Sequence, residues 1–272
     1  MSVLDEPLFF AGLPLQDAPR AARVTLVGAG PGDPELLTVR AERALRCASL
    51  VLYDHLVSRE VLRLVPDGAD LIYVGKESAR HTLPQEDICA LMVRLARSGR
   101  ALVRLKGGDP YIFGRGGEEA QALAAAGVPF EIVPGISAAQ AAAAEAGMPL
   151  THRDHATSVV LATGHRRAGA KDAVDMDWAA LARSHQTVVI YMGVSTLPTV
   201  CAQLQRHGLP ADTPAALVER ASQPGCRRVV GTLRTLPALA RHHEVRPPAL
   251  LIVGGVVALH AQLAARGTAL TA

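Results

Sequence analysis

The sequence predicts an α/β protein made of two α/β domains with a ligand cleft between them. Three observations support this fold class: short runs of Val, Leu and Ile recur along the 272 residues, helical segments separate most of them, and aromatic residues make up only 3% of the chain. Alternating strands and helices are typical of parallel βαβ units. A core of Ala, Val and Leu suits strands that are buried on both faces.

Each predicted strand is an apolar run bounded by Gly, Pro or Asp. In chain order the runs are VTLVGAG, SLVLYD, LIYVGK, LVRLKGGD and FEIVPG, then SVVLATG, TVVIYMG, AALVER, RRVVGTL and ALLIVGG. The two groups of runs meet at Pro134 and Gly135, where we place the domain junction. Because RRVVGTL and ALLIVGG lie close together in the chain, we expect the second sheet to be mixed.

Helices are predicted between these runs at residues 35–47, 86–98, 118–126, 138–146 and 196–207. Ser137 precedes the Ala-rich run and Gly147 ends it, and these residue types favour the start and the stop of a helix. Glu118 and Glu119 open their helix, where the helix dipole favours acidic residues. We expect a flexible N-terminal extension over 1–21, domains over 22–135 and 136–262, and a tail over 263–272.

Composition and charge exclude several classes of protein. A net charge of +3 is too small to indicate a nucleic-acid partner. The four cysteines contain no C-x-x-C pair, so neither a zinc site nor a disulfide framework is expected. The N-terminus lacks the cationic start of a secretory signal, and no apolar run is long enough to cross a membrane. The sequence therefore predicts a soluble, cytoplasmic protein with a small-molecule ligand.

The first glycine-rich segment, GAGPGD at residues 28–33, follows a predicted strand and precedes a predicted helix. With Asp54 at the end of the next strand, it approaches the dinucleotide fingerprint of NAD-binding proteins. Two details weaken the match, because the third glycine comes one residue early and Pro31 removes an N–H that would bind pyrophosphate. On this segment alone, an NAD-dependent oxidoreductase and a plain strand-to-helix turn both stay open.

The second glycine-rich segment, GGDPYIFGRGGEE at residues 107–119, is longer than a turn requires. With GAGPGDPELLT, YDHLVS, VGK, VPGISAA, GMPLTHRDH, YMG and ALVE, in this order and spacing, it resembles the uroporphyrinogen-III C-methyltransferases. These enzymes are class III S-adenosylmethionine-dependent tetrapyrrole methyltransferases, and the resemblance covers roughly residues 22–260. It implies a two-domain α/β homodimer that binds S-adenosyl-L-methionine in the interdomain cleft, yields S-adenosyl-L-homocysteine, and needs no metal.

The resemblance also implies which residues bind the cofactor. Glycines let the backbone approach the methionyl tail and the ribose, Asp109 can accept hydrogen bonds, and Ile112 and Met192 supply apolar walls for adenine. Ser137 keeps the hydroxyl of the Thr that is more usual in the family. The cofactor-contacting positions that carry over are Pro31, Gly107, Gly108, Asp109, Ile112, Ser137, Ala138, Met192 and Ala221.

Substrate and catalytic positions carry over in the same way. Arg115 and Arg153 match arginines that bind substrate carboxylates, although a surface salt bridge is the more common role of a single arginine. Glu118 matches the acidic neighbour of Arg115 and would orient it or a pyrrole N–H; helix capping is the alternative. Asp54 matches the proton acceptor and Lys76 the proton donor. His152 and His155 have no Cys or acidic cluster beside them, so we expect no metal.

The resemblance implies methylation of uroporphyrinogen III on rings A and B, through precorrin-1 to precorrin-2, for sirohaem, cobalamin or haem d1 synthesis. Since the chain carries no dehydrogenase and chelatase module, we expect it to stop at precorrin-2. Glu145 departs from the family, which usually has an aromatic residue there. The alternatives are a later precorrin C-methyltransferase of the same fold, an NAD-dependent oxidoreductase, and a tetrapyrrole carrier without turnover.

Overall fold

The structure is a computed structural model, which describes residues 23–75, 83–164 and 176–263. The described chain forms two five-stranded sheets, one from each half of the sequence. The strands of the first sheet are β1 (Val24–Gly28), β2 (Leu50–Tyr53), β3 (Asp70–Tyr73), β4 (Leu102–Lys106) and β5 (Phe130–Val133). Those of the second are β6 (Ser158–Thr163), β7 (Gln186–Tyr191), β8 (Pro214–Glu219), β9 (Arg227–Thr232) and β10 (Ala249–Val253).

The first sheet has the strand order β3-β2-β4-β1-β5, and all its neighbouring strands pair in parallel. Its carboxyl ends therefore lie along one edge, where parallel sheets bind their ligands. The loops that contain both glycine-rich segments follow β1 and β4, which are adjacent strands at the centre of this sheet. The topology thus brings together two segments that are far apart in the sequence.

The second sheet has the order β6-β7-β10-β8-β9. Strands β6 and β7 pair in parallel, whereas β10 is antiparallel to both β7 and β8, and β8 is antiparallel to β9. The expectation of a mixed second sheet is confirmed, as is the prediction of an α/β class.

Helices connect most of the strands. They are α1 (Val39–Arg46), α2 (Arg59–Leu62), α3 (Gln85–Arg97), α4 (Gly116–Ala125), α5 (Ala138–Ala146), α6 (Trp178–Leu181), α7 (Leu197–Arg206), α8 (Leu236–His242) and α9 (His260–Leu263). The helix predicted at 35–47 is divided, because Leu37 is extended and separates the short 3-10 helix Pro34–Leu36 from α1. The Thr38 hydroxyl then accepts the Ala41 N–H at 3.2 Å and starts α1.

Apolar side chains cover both faces of each sheet. In β1, Leu26 packs in a cluster with Met92 of α3, whereas the next residue, Val27, packs in a different cluster with Leu45 of α1. This alternation places successive residues of a strand on opposite faces, as a sheet buried on both sides requires. No helix within the described residues is long and apolar enough to cross a membrane.

Candidate active site

The two glycine-rich loops contact each other through their backbones at the carboxyl edge of the first sheet. Gly30 and Gly108 form an antiparallel bridge, in which the Gly108 N–H donates to the Gly30 carbonyl at 2.7 Å and the reverse bond measures 3.2 Å. Gly135, after β5, packs against the same two loops. A Cβ on Gly135 would lie 2.3 Å from the Gly108 carbonyl oxygen, and one on Gly28 would lie 2.5 Å from the Gly135 nitrogen. Three loops therefore meet where side chains have no space.

We expect Gly135→Ala to destabilise the fold by about 1–3 kcal/mol, because its methyl group would push rigid backbone atoms apart. Urea unfolding monitored by circular dichroism measures this difference. Gly117→Ala in α4 is the matched control, since a Cβ there meets no atom within 4 Å. The control should be neutral or slightly stabilising. Equal stability of the two variants would show that the loops can separate without cost.

Asp109 ties the second glycine-rich loop to the start of α5. Its Oδ1 accepts the Tyr111 N–H at 2.8 Å, and its Oδ2 accepts the Gly135 N–H at 3.0 Å. The sequence suggested that Asp109 accepts hydrogen bonds from a ligand. The structure gives it a backbone-organising role as well, although a carboxylate has lone pairs left for further donors.

No side chain covers Gly108 on the side that faces the N-terminus of α5. Gly108 has φ +67°, and a Cβ built on it would meet only the Ala138 nitrogen, 4.0 Å away. Ser137, the buried N-cap, donates its backbone N–H to the Gln140 side chain at 3.0 Å. A helix N-terminus carries partial positive charge and favours an anionic group such as a carboxylate. The residues on this side of Gly108 therefore suit the carboxylate end of an amino-acid-like ligand.

The second domain contributes residues that follow β7 and β8. The Tyr191 hydroxyl accepts the Ala139 N–H of α5 at 3.2 Å, and the Tyr191 ring lies 4.9 Å from the Phe113 ring of the second glycine-rich loop. Met192 follows Tyr191 in the left-handed conformation, with φ +54°, and is exposed. Ala221 packs on the same apolar cluster as Ala138.

A direct hydrogen bond also joins the loop after β8 to the first glycine-rich loop. The Gln223 amide donates to the Pro31 carbonyl at 2.9 Å. Ile112 is half-buried, and its N–H donates to the Asp109 carbonyl at 3.3 Å. The cofactor-binding residues that the sequence predicted are thus brought to one region by contacts between neighbouring loops.

A buried ionic cluster lies beside these loops. Arg104 and Lys106 point from β4 toward Glu119 of α4, with Nε and Nζ at 3.1 Å and 2.9 Å from its Oε1. Arg104 Nη2 also reaches Asp54 Oδ2 at 3.4 Å, and the Leu56 N–H donates to Asp54 Oδ1 at 3.2 Å. Asp54, at the end of β2, is thus linked to a buried cluster by one oxygen and held by backbone through the other.

This cluster was missed from the sequence. Glu119 was interpreted as a helix-capping residue beside Glu118, but its side chain is fully buried. Burial lowers the pKa of Lys106, and the adjacent Arg104 lowers it further, while Glu119 opposes the change. A signal was present, because Arg104 and Lys106 occupy alternate positions of an otherwise apolar strand, and alternate positions share one face.

The tetrapyrrole (corrin/porphyrin) methylase family matches residues 23–237. The chain belongs to this family. Its curated relatives include the siroheme synthases of Thioalkalivibrio sulfidiphilus and Chromobacterium violaceum, 52% and 55% identical to it over 252 and 242 residues. These alignments cover 93% and 89% of the chain but only 50% and 51% of the relatives. The chain thus spans about half the length of the curated relatives it matches.

Solved structures of tetrapyrrole methylases resemble it closely. Uroporphyrin III C-methyl transferase from Thermus thermophilus is 45% identical with a TM-score of 0.74, and the match covers 87% of this chain and 99% of that one. The same enzyme complexed with S-adenosylhomocysteine is 44% identical. A cobalt precorrin-4 methyltransferase has a TM-score of 0.77 at 28% identity, covering 90% of this chain and 99% of that one. The predicted resemblance and fold class are confirmed.

The methylase's two predicted substrate arginines differ in their surroundings. Arg115 precedes α4, and its guanidinium donates to both carboxylate oxygens of Glu118, at 2.9 Å and 2.6 Å. This hydrogen-bonded pair raises the pKa of Arg115 and lowers that of Glu118. Arg153 is exposed and lies within 4.0 Å of no carboxylate among the described residues. Glu118 is therefore paired with Arg115 in the structure, and its role in orienting this arginine toward a substrate stays a prediction.

Two further predictions concern Lys76 and metal binding. Lys76 lies outside the described residues. His152 and His155 lie in a turn closed by a bridge between His152 and Ala156, with their rings 4.9 Å apart. Within the described parts of this methylase, no group of three or more His, Cys, Asp or Glu side chains is placed to hold a metal ion.

Proposed function

We propose that the chain is an S-adenosylmethionine-dependent methyltransferase that methylates uroporphyrinogen III on rings A and B and gives precorrin-2 through precorrin-1. The observation that carries this proposal is the 45% identity to a uroporphyrin III C-methyl transferase along 99% of that chain. The fold alone does not choose a substrate, because the cobalt precorrin-4 methyltransferase has the higher TM-score at 28% identity. Precorrin-2 would then be used in the synthesis of sirohaem, cobalamin or haem d1.

The uncovered side of Gly108 that faces α5 supports the placement of the cofactor. Bare backbone at Gly107 and Gly108, the α5 N-terminus at Ser137 and Ala138, and Pro31 and Ala221 on facing loops would hold its polar and adenosyl parts. Ile112 and Met192 would provide apolar contacts. When bound, S-adenosylmethionine supplies an electrophilic methyl group. The loops contribute by fixing its orientation, and correct orientation of the reactants can lower the activation barrier by about 7–11 kcal/mol.

The remaining residues would bind the substrate and move a proton. The Arg115 and Arg153 guanidinium groups suit the substrate's carboxylates, which accept paired N–H bonds. A proton must leave the macrocycle as its double bonds rearrange, and Asp54 would accept it. Its carboxylate is oriented by Arg104 at 3.4 Å and by the Leu56 N–H at 3.2 Å. Lys76 would be the proton donor, and S-adenosyl-L-homocysteine the other product.

The proposal also covers the division of the chain into domains, its assembly and its location. We place the domains at 22–135 and 136–262, with the junction between β5 and α5, because α5 packs in one apolar cluster with strands of the second sheet. The predicted N-terminal extension, 1–21, and the predicted tail, 263–272, lie outside the described residues except for Leu263. A homodimer in the cytoplasm is the assembly and location that the family resemblance suggests.

Anaerobic incubation with uroporphyrinogen III and S-adenosylmethionine tests the proposal. Mass analysis should show a tetrapyrrole with two added methyl groups, one S-adenosyl-L-homocysteine formed for each. Omission of S-adenosylmethionine is the control. An unchanged tetrapyrrole, with S-adenosylmethionine still bound to the protein, would move the substrate to a later precorrin and contradict the proposed one.

A further inference from the structure

The segment at residues 220–226, which follows β8, connects the two domains, and we call it the bridging loop. Its Gln223 amide donates to the Pro31 carbonyl at 2.9 Å, and its Ser222 hydroxyl accepts the Asp33 N–H at 3.3 Å. Gly32 lies against Gln223 so closely that a Cβ on the glycine would be 2.5 Å from Gln223 Cγ. The bridging loop therefore packs directly on the GAGPGD segment.

The backbone of the bridging loop is strained. Arg220 has φ +51° and Ser222 has φ +58°, although neither is a glycine. Such left-handed conformations cost free energy in residues with a Cβ and persist only where the surroundings hold them. Within the loop, the Gln223 N–H donates to the Arg220 carbonyl at 3.0 Å, and the Cys226 N–H donates to the Gln223 carbonyl at 3.0 Å. These bonds close two turns but leave the Ser222 N–H to be satisfied elsewhere.

Glu145 satisfies that N–H. This residue, near the end of α5, accepts the Ser222 N–H on its Oε2 at 2.7 Å. Burial and the nearby Glu145 carboxylate raise the pKa of the Cys226 thiol to about 12. A thiol with such a pKa stays protonated near neutral pH, so Cys226 places no second negative charge beside Glu145. Glu145 therefore holds the strained loop at the Ser222 N–H.

The hydrogen bond between Glu145 and Ser222 lies close to several predicted cofactor contacts. Ser222 follows Ala221, and Gln223 holds Pro31, so the loop connects two predicted cofactor contacts on opposite domains. Glu145 lies on the same helix whose N-terminus, at Ser137 and Ala138, faces Gly108. A charged hydrogen bond at the far end of α5 thus fixes the spacing between the helix and the loop.

We propose that Glu145 is a positioning residue for cofactor binding, which acts by holding the bridging loop against Pro31 rather than by touching the cofactor. The proposal rests on the proposed function, because it assumes that S-adenosylmethionine binds between these loops. It also gives a role to the position at which this chain departs from the resembled family. A carboxylate offers the Ser222 N–H a charged acceptor, which an aromatic side chain does not offer near neutral pH.

Calorimetric titration of S-adenosyl-L-homocysteine into the purified full chain tests the proposal. Glu145→Ala should raise the dissociation constant about tenfold, since a hydrogen bond to a charged group is lost. Glu145→Gln keeps an acceptor oxygen for the Ser222 N–H and should stay within about threefold of wild type. In turnover assays, the KM for S-adenosylmethionine should rise in Glu145→Ala, while the KM for the tetrapyrrole stays unchanged.

Glu42→Ala is the matched control, because Glu42 also lies on a helix and is ion-paired, with Arg46 at 2.8 Å, but α1 contributes no predicted site residue. Both Ala variants should remain folded, since Ala favours helix. Wild-type affinity in Glu145→Ala would overturn the positioning role. A weakening of cofactor and tetrapyrrole alike would also overturn it, in favour of a general structural role. Failure of the wild type itself to bind would reject the proposed function, and this inference with it.

Discussion

Asp54→Asn will lower kcat by roughly 10²–10⁴-fold, the usual contribution of a positioned general base. The amide has nearly the size of the carboxylate and can still accept the Leu56 N–H, which lies 3.2 Å from Asp54 Oδ1. It cannot take up a proton, so proton loss from the macrocycle slows. The affinity for S-adenosyl-L-homocysteine should not change, because Asp54 is not among the predicted cofactor contacts. Anaerobic initial rates and calorimetry measure the two quantities.

Asp70→Asn is the control for this variant. Asp70 belongs to the same sheet and is also paired with an arginine, Arg100, at 2.6 Å, but it begins β3 at the edge opposite the glycine-rich loops. Its replacement should leave kcat within about twofold, since exposed ion pairs contribute little. If Asp54→Asn retained more than a third of the wild-type rate, the proton acceptor would have to be another group.

The strands were predictable because each is a short apolar run, and most of these runs end in Gly, Pro or Asp. All ten runs form strands, and the second sheet is mixed as expected. The division of the first predicted helix was not anticipated. It depends on the extended conformation of Leu37 and the capping hydroxyl of Thr38, and neither changes the apolar pattern from which the helix was predicted.

The candidate site was only partly predictable. Glycine-rich loops can be recognised in a sequence, because several glycines close together allow the backbone to approach a ligand. The two loops come together in the structure because β1 and β4 are neighbouring strands. The partners of Asp54 were not visible. The ionic cluster depends on the pairing of β2 with β4 and on the packing of α4, so its members lie far apart in the chain. In the sequence, Glu119 cannot be distinguished from its neighbour Glu118. In the structure, the Glu119 side chain is buried and the Glu118 side chain is exposed.

Glu119→Gln should destabilise the protein by about 3–5 kcal/mol, the range found when one partner of a buried ion pair is removed. Glu119 is the carboxylate that faces both Arg104 and Lys106, and these side chains are 3% and 4% exposed. Its other oxygen, Oε2, has no hydrogen-bond partner among the described residues, so the charge depends on these two cations and on the Gln85 amide, which donates to Oε1 at 3.3 Å. Urea unfolding near neutral pH measures the loss.

Glu131→Gln provides the comparison, because Glu131 also binds two arginines, Arg23 at 2.7 Å and Arg40 at 3.2 Å. Its side chain is 29% exposed, and Arg40 is 69% exposed, so water screens the pair. Its replacement should cost less than about 1 kcal/mol. Similar losses in the two variants would show that burial does not strengthen the dependence on Glu119.

The cost of Glu119→Gln should also depend on pH. The pKa of Lys106 is already lowered from 10.5, chiefly by burial, and Glu119 opposes this shift, so the variant should lower it further. Where a folded-state pKa lies below the unfolded value, the unfolded chain binds more protons, and stability rises with pH between the two values. In the variant this interval extends to lower pH.

The difference in unfolding free energy between wild type and variant should therefore be larger near pH 7 than near about pH 10, where Lys106 is increasingly neutral in both. A gap that stayed constant across this range would mean that Lys106 does not experience the charge of Glu119.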